Sequence, residues 1–532
     1  MSCPVYGNSF LCCFCPDVGR DFSMGADNTD AFGYEYPLLS FLSVFNAEKI
    51  VIGCEGDMNV SVEYLSFDTR DIKKNTLFFC KGVHFKESYL ADAEALGAVA
   101  YVSEKKYSSG LPCIIVSDVR KAMSAAAFSD AERLFEKLSV IGITGTKGKS
   151  TVTYYIKAIL DRFLPRECAV LSSIDNYDGV IREEAHLTTP EAVTLRHHFE
   201  NAIGSGISHL VMEVSSQALK YGRVEGAYFS AACFTNIGRD HISPVEHPDF
   251  EDYFLSKLKI FDSCGAACIN TDALYSDRVL EYARKRNCNI ITYGSHPDDT
   301  VFVSEVRKKN DGIYFKVKTP CFSDEMRITM PGLFNVENAA AAIAVCFCLG
   351  VPCDVIKRGL DAARVKGRME VFPSDDGKIV AFVDYAHNQM SFEALLKSVK
   401  AEYPGREIVM VFGSAGGKAY SRRPDLGEAA GKYADYTVLT EEDSGEEPFL
   451  NIAADIGKYI SSNGGKYSVI EDRGQAIRDA IFSHGENKVV LILGKGRETR
   501  QKRGTVYVDT PSDVDYALQY IGEYNSVAAA VR

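Results

Sequence analysis

The stretch "LSVIGITGTKGKSTVTYY" (residues 138–155) decides how this chain is read. An apolar run, Val140 to Ile143, gives way to Gly145, Thr146, Lys147 and Gly148, and then Lys149, Ser150 and Thr151 open a helix-competent segment. Buried strand, glycine-rich turn and helix start form the setting a phosphate-binding loop requires. Glycines at 145 and 148 let backbone N–H groups face inward with no Cβ in the way. The positive end of the helix dipole adds to them. Lys149 supplies a point charge for the β- and γ-phosphates, and the Ser150 hydroxyl can bind Mg2+. The strict G-x-x-x-x-G-K-S/T pattern is not met, because Ile143 stands at its first position. Lys149 and Ser150 are still in register with the turn, so the loop is read as an ATP site.

The rest of the chain bounds what the ATP is for. A length of 532 residues exceeds one hydrophobic core and predicts about three domains. A net charge of −13 argues against nucleic acid as the main partner, since phosphate backbones need a basic face. The longest apolar stretch, "AAAAIAVCFCLGV", falls short of the roughly 20 residues that span a bilayer and reads as a buried helix. No membrane partner is expected, and the protein is expected to be a monomer. Most of the 16 cysteines sit singly in apolar runs, where Cys acts as a small hydrophobe, so a reducing cytoplasm is expected. The exception is "MSCPVYGNSFLCCFCPD", with Cys3, Cys12, Cys13 and Cys15. It reads as a poorly ordered leader or, alternatively, a metal site lacking a matching Cys/His pair. It has no basic n-region, which makes a poor signal peptide, and Met24 is an alternative start.

Short β-branched runs alternate with helical segments throughout, the mark of an α/β fold. The expected layout is a leader (1–36), a first block (37–135), a central ATP-binding block (136–364) and a third block (365–532). In the first block, "RKAMSAAAFSDAERLFEKL" reads as one Ala-rich helix. The third block holds "KIVAFVDYA", "EIVMVFG", "YTVLTEE" and "KVVLILGKG", which predict a parallel, doubly wound, Rossmann-like sheet.

The variant "GITGTKGKST" resembles the phosphate loop of the Mur ligase family, and further segments resemble its MurE-type branch in the same order. They are "HLTTPEA" (186–192), "VMEVSSQAL" (211–219), "FTNIGRDHIS" (234–243), "YFLSKLKIF" (253–261), "GLFNVENAAAAIA" (332–344), "VKGRMEVF" (365–372), "VDYAHN" (383–388) and "GKGRE" (494–498). The resemblance implies a three-domain architecture with a central P-loop ATPase domain and a C-terminal Rossmann-like domain. It implies an ATP- and Mg2+-dependent ligase that joins the third amino acid to UDP-MurNAc-L-Ala-D-Glu in peptidoglycan synthesis. Such a reaction needs activation, because a carboxylate is a poor electrophile. γ-Phosphoryl transfer gives an acyl phosphate, which the amine attacks, and the site's task is positioning and charge neutralisation.

The resemblance also implies roles for individual residues. Lys149, Glu213, His241 and Lys257 would be catalytic, with Ser150, Glu213, His241 and Lys257 (as a carbamate) on the metal side. The frame from Tyr253 to Phe261 favours Lys257 over nearby Lys259. Gly145 to Thr151, Asn335, Asn338, Arg368, Asp384 and His387 would face ATP. Asn335 and Asn338 serve equally well as helix caps. Thr188, Thr189, Ser215 and Arg223 would hold the muramyl peptide. Ser66, Asp68, Thr69, Arg70 and His84 would form the uridine-diphosphate platform, or "DTRD" is a plain turn.

The amino-acid pocket departs from the diaminopimelate-adding pattern. Where those enzymes carry Asp-Asn-Pro-Arg, this chain reads "VLTEEDSGEEP" (438–448), and Lys418 replaces another Arg. Lys418, Asp443, Gly494 and Glu498 are the expected contacts. The run Glu441, Glu442, Asp443, Glu446, Glu447 favours a cationic third residue, L-Lys or L-ornithine, over diaminopimelate. Rival readings are a divergent paralogue acting on another carboxylate, since "DYAHNQMS" replaces "DYAHTPD", a folylpolyglutamate-synthetase-like enzyme, and a non-catalytic nucleotide-binding scaffold.

Overall fold

The strand Ser139–Thr144, buried from Val140 onward, lies near the middle of an 11-stranded sheet and delivers the phosphate loop at its carboxyl end. His209–Glu213 runs parallel on one side, setting Glu213 opposite Ile143, and Phe229–Phe234 runs parallel on the other, setting Phe234 opposite Thr144. Parallel strands continue outward through Cys264–Asn270, Asn289–Gly294 and Val301–Lys309. Antiparallel strands close both flanks, at Asp175–Tyr177 with Arg182–Glu184 and at Gly312–Lys318 with Ser323–Ile328. The structure is a computed structural model that describes residues 36–531, apart from 83–84, 244–245, 310, 418–419 and 421. The Cys-rich leader, His84 and Lys418 therefore lie outside the described residues.

A five-stranded sheet precedes the central one and a six-stranded sheet follows it. In the first, Tyr64–Ser66, Thr76–Phe79, Ala98–Ser103 and Cys113–Val116 are parallel, with Val51–Glu55 antiparallel at the edge. In the last, Ile379–Asp384, Lys488–Leu493, Glu407–Phe412, Tyr436–Leu439 and Tyr467–Val469 are parallel, and Glu370–Pro373 adds an antiparallel edge. The doubly wound reading of the third block holds for the four runs on which it was based. Their interiors are continuous apolar runs because helices cover both faces.

The phosphate-loop helix, Lys149–Phe163, starts at Gly148 in the left-handed region with no side-chain cap, which leaves its first N–H groups without a side-chain acceptor. Val152, Ile156, Ile159 and Leu160 are fully buried, each worth about 1.5–3 kcal/mol relative to exposure. They share one core with the helix Asn335–Cys348, whose Ala339 to Cys346 are all buried. The apolar stretch thus forms a core helix, and among the described residues no helix is long and apolar enough to cross a membrane. The single Ala-rich helix expected near 120–138 is instead two, Val119–Ala127 and Ala131–Phe135. Asp130 leaves the helical path there and pairs with the buried Arg196 guanidinium. A tertiary ion pair overrides the helix propensity of the run.

Candidate active site

The loop's shape depends on its two glycines. Gly145 has φ 145° and Gly148 φ 84°, and a Cβ on either would lie 2.0 Å from Thr235 Oγ1 or 2.3 Å from Asn338 Oδ1. Polar neighbours clamp the loop from behind. Thr235 donates to the Lys147 carbonyl at 2.6 Å, and the Lys147 N–H donates to Asn236 Oδ1 at 2.9 Å. The buried Thr146 hydroxyl meets Tyr253 Oη at 3.1 Å and accepts from the Gly238 N–H at 3.0 Å. Thr151 is buried in the first helical turn. Asn338 thus abuts the loop, whereas Asn335 is used locally. Its amide donates to the Pro331 carbonyl at 2.6 Å, and its Oδ1 accepts from Asn338 at 2.9 Å. Neither asparagine caps the helix, which begins after Phe334 with no side-chain cap.

Two lysines converge on one carbonyl. Lys149 Nζ lies 3.0 Å from Gly145 O and 3.3 Å from Thr146 O, and Lys257 Nζ lies 2.8 Å from the same Gly145 O. Lys257 is 2% exposed and its ammonium stands 4.8 Å from the Tyr253 ring centre, while Lys259 is exposed. Burial and neighbouring Lys149 and Lys147 push the Lys257 amine well below the usual lysine range. Burial likewise lowers Lys149, and pushes Lys147 down to about 8 against the pull of Asp240. This is a cationic pocket short of anions.

Glu213, read as the end of a strand, is 1% exposed rather than solvated. Its Oε1 accepts from Ser173 N at 2.9 Å and Ser173 Oγ at 3.0 Å, and Ser173 Oγ lies 3.1 Å from Ser150 Oγ. Ser150 also accepts from Arg368 Nη2 at 3.2 Å, which brings the third block onto the loop. Asp384 ends its strand as expected, accepting from the Met369 and Ala386 N–H groups at 2.8 Å each. Burial raises its carboxyl against the pull of Arg368. His387 Nδ1 lies 2.8 Å from the Tyr385 carbonyl, and burial with Lys147 and Arg422 lowers that imidazole well below its usual range. His241, in the left-handed region at φ 55°, is paired through Nδ1 with Glu246 at 3.0 Å. That pairing leaves Nε2 as its only other ring nitrogen. Among the described residues no cluster of three or more His, Cys, Asp or Glu stands ready for a metal. Ser150 and Glu213, bridged by Ser173, instead form a sparse oxygen set of the kind Mg2+ uses when nucleotide phosphates complete its shell.

Sequence reasoning passed over Ser173, Thr235, Asn236 and Asp240. The last three lie inside "FTNIGRDHIS", where the histidine drew the attention; Ser173 belongs to no quoted motif.

Next to Glu213, Thr189 Oγ1 donates to the Glu213 carbonyl at 2.9 Å and accepts from Ser215 N at 3.0 Å. The Ser215 hydroxyl caps the helix Ser216–Lys220, and Arg223 donates to Thr189 O at 3.1 Å. Thr188 is half-buried beside them. Farther out, a cleft of about 500 Å³ opens between the turn Ser66–Asp71 and residues Glu183, Val193 and Thr194. Ser66 is buried there and its hydroxyl builds the turn against Asp68. Arg70 is exposed and pairs with Asp68 at 2.5 Å, and Thr69 is half-buried between them. The turn alternative describes "DTRD" well.

The acidic run is the chief correction. Three of its five acids are paired within the fold: Glu441 with Arg503, Asp443 with Lys495 and Glu447 with Arg423. Glu446 is exposed. Glu498 takes Lys495 at 2.9 Å and the Tyr385 hydroxyl. Glu442 differs, because its carboxylate packs over Gly494, 2.2 Å from where a Cβ would sit. Burial, opposed by Arg473 and Lys495, pushes that carboxyl up to about 6. A raised carboxyl binds its proton more tightly folded than unfolded, so it costs stability as pH rises from about 4.5 through 6. Glu442→Gln should therefore stabilise the protein by up to about 2 kcal/mol at pH 8 and by little at pH 4. Thermal unfolding at the two pH values checks this, and equal shifts would refute it.

This ensemble, a phosphate loop facing a carboxylate, buried lysines and an arginine just ahead of a Rossmann-like sheet, defines a nucleotide-dependent ligase site. The Mur ligase middle domain matches residues 143–346, and the Mur ligase glutamate ligase domain matches residues 367–496. The chain belongs to the Mur ligase family and is an ATP-dependent peptide ligase. It is 37% identical over 464 residues to the UDP-N-acetylmuramoyl-L-alanyl-D-glutamate–L-lysine ligase of Enterococcus faecalis, covering 86% of this chain and 91% of that one. It is 38% identical over 454 residues to the UDP-N-acetylmuramyl-tripeptide synthetase of Bifidobacterium longum, covering 82% and 87%. Among solved structures, a UDP-N-acetylmuramoyl-L-alanyl-D-glutamate–2,6-diaminopimelate ligase shares the fold at TM-score 0.63 and 24% identity, covering 92% of this chain and 99% of that chain. A MurF ligase from Thermotoga maritima in complex with ADP does so at 0.57 and 16%, covering 87% and 98%.

Proposed function

We propose that the protein adds a cationic third amino acid, L-lysine or L-ornithine, to UDP-MurNAc-L-Ala-D-Glu by way of an acyl phosphate. The observation that carries this is Lys149, Lys257 and Glu213 gathered around one loop, with Arg368 reaching it from the third block. In this reading the first block grips the uridine diphosphate, the central block binds ATP and the third binds the amino acid. Ser150 and Glu213 would hold a Mg2+ ion, which offsets phosphate charge when bound. Lys149 would grip the terminal phosphates, and the γ-phosphoryl group would pass to the D-Glu carboxylate with ADP as leaving group. The amino group then attacks the acyl carbon, phosphate departs, and the amide forms with loss of one proton. Arg368 would neutralise charge and help keep water from the acyl phosphate.

The lysine preference rests on two supports. The Enterococcus faecalis relative is named an L-lysine ligase. In this chain Glu442 is a half-buried carboxylate, with Glu498 near it, and the arginine expected of a diaminopimelate site is missing from residues 438–448. A cytoplasmic monomer completes the reading. The test is to incubate the protein with ATP, Mg2+, UDP-MurNAc-dipeptide and each amino acid in turn, and to weigh the product. Lysine or ornithine should give a tripeptide and ADP; turnover with diaminopimelate alone would overturn the preference.

A further inference from the structure

Asp240 joins parts of the chain that are far apart in sequence. It is buried, with its side chain 3% exposed. Its Oδ1 accepts from Arg422 Nη2 at 2.8 Å, and its Oδ2 accepts from Asn388 Nδ2 at 2.6 Å. Its Oδ1 also accepts from the His241 N–H at 3.0 Å, and Lys147 of the phosphate loop lies 3.6 Å from Oδ2. Asp240 thus meets the loop within its own block and two groups from the third block. Burial opposes its charge, but Lys147, Arg422, His241 and His387 outweigh burial and hold its carboxyl far below the usual range.

Asn388 is aimed by its own helix. It caps Gln389–Glu402, and its Oδ1 accepts from the Ser391 N–H at 3.1 Å and the Ser391 hydroxyl at 2.9 Å. With the oxygen committed to the cap, the amide nitrogen must point the other way, onto Asp240. Two residues on, the Met390 methyl fills the notch over Gly238, 2.0 Å from where a Cβ would sit. Among these contacts Asp240 alone is charged, buried and bonded to both sides.

We infer that Asp240 is the latch that seats the third block on the phosphate loop, a positioning residue whose matched partner is Asn388. The inference rests on the ligase reading for its effect on turnover, but the seating itself does not. Seating delivers Arg368 to Ser150 and His387 toward Lys147, so the latch acts on ATP through them. A chain with Thr at 388 would keep the helix cap and lose this bond, because a hydroxyl is shorter and already engaged by the cap.

The test separates latch from cap. Asn388→Asp keeps a good N-cap but turns the donor facing Asp240 into a second carboxylate. The single variant should keep its helix content, show a larger radius of gyration by small-angle scattering, and lose roughly ten- to a hundred-fold in kcat/KM for ATP. The swap, Asp240→Asn with Asn388→Asp, keeps one carboxylate and one amide between Lys147 and Arg422. It should restore the wild-type radius and bring kcat/KM back to within about five-fold, a coupling that independent sites do not show. An Asn388→Asp protein with wild-type radius and turnover overturns the latch, as does a swap no better than the product of its single variants. If no variant, nor the wild type, makes product but the radius follows this pattern, the ligase reading fails and the latch stands.

Discussion

Replacing Lys149 by alanine should lower kcat/KM for ligation by roughly a thousand-fold while the protein stays folded. Among the described residues, the lysine hydrogen-bonds only to the Gly145 and Thr146 carbonyls of its own loop. It is therefore a charge held in reserve, in a pocket that already contains Lys147 and Lys257. Burial lowers the Lys149 amine, so the folded state binds that proton less tightly than the unfolded chain does. A depressed lysine costs stability at neutral pH, and the cost fades as pH rises toward the unfolded value. Removing Lys149 should leave the melting temperature unchanged or raise it slightly. The same sign predicts that ATP, by supplying the missing anion, raises the wild-type melting temperature much more than that of the variant. Thermal shift with and without ATP, beside a product assay, reads both. A variant that ligates normally, or that gains as much stability from ATP as the wild type, would remove the phosphate loop from the mechanism.

How much of this was legible before the structure follows from the range of each interaction. The loop was legible because strand, glycines, lysine and helix start are consecutive, and nothing distant is needed to shape them. Glu213 and Lys257 were legible from their ordered motifs, although burial, which gives each its chemistry, was not. Asp240 was hidden because its partners come from the third block: Arg422 carries no signature of its own, and the departure at Asn388 was visible without showing what it meets. The acidic run misled for the opposite reason. Its charges add up along the sequence, but in space Arg503, Lys495 and Arg423 cancel three of them and leave Glu442 as the distinctive one. The broken helix near Asp130 is the same lesson in secondary structure, since the Arg196 that draws the aspartate away is remote in sequence.

Lys257 carries the second large effect, for a chemical reason. Lys257 is 2% exposed, among the described residues it hydrogen-bonds to a carbonyl oxygen, and burial pushes its amine well below the usual lysine range, which favours the neutral, nucleophilic form. A free amine attacks carbon dioxide: a C–N bond forms, one proton leaves, and the product is a carbamate with two oxygens. Such a carbamate would balance the pocket's cations and would offer Mg2+ an oxygen ligand where the chain itself supplies few. We therefore expect Lys257→Ala to lower kcat by a hundred- to a thousand-fold, with partial rescue by short carboxylic acids that refill the cavity. Lys257→Arg, which brings a permanent positive charge and cannot be carbamylated, should be as poor. Lys259→Ala, altering an exposed neighbour, should behave as wild type. Wild-type enzyme in buffer stripped of carbon dioxide should slow and recover on adding bicarbonate. Carbon-13 bicarbonate should label one lysine carbamate, visible by NMR and absent from Lys257→Ala. A fully active Lys257→Arg would show that the residue works as a cation, and the second anionic group would then have to be sought elsewhere around the Gly145 carbonyl.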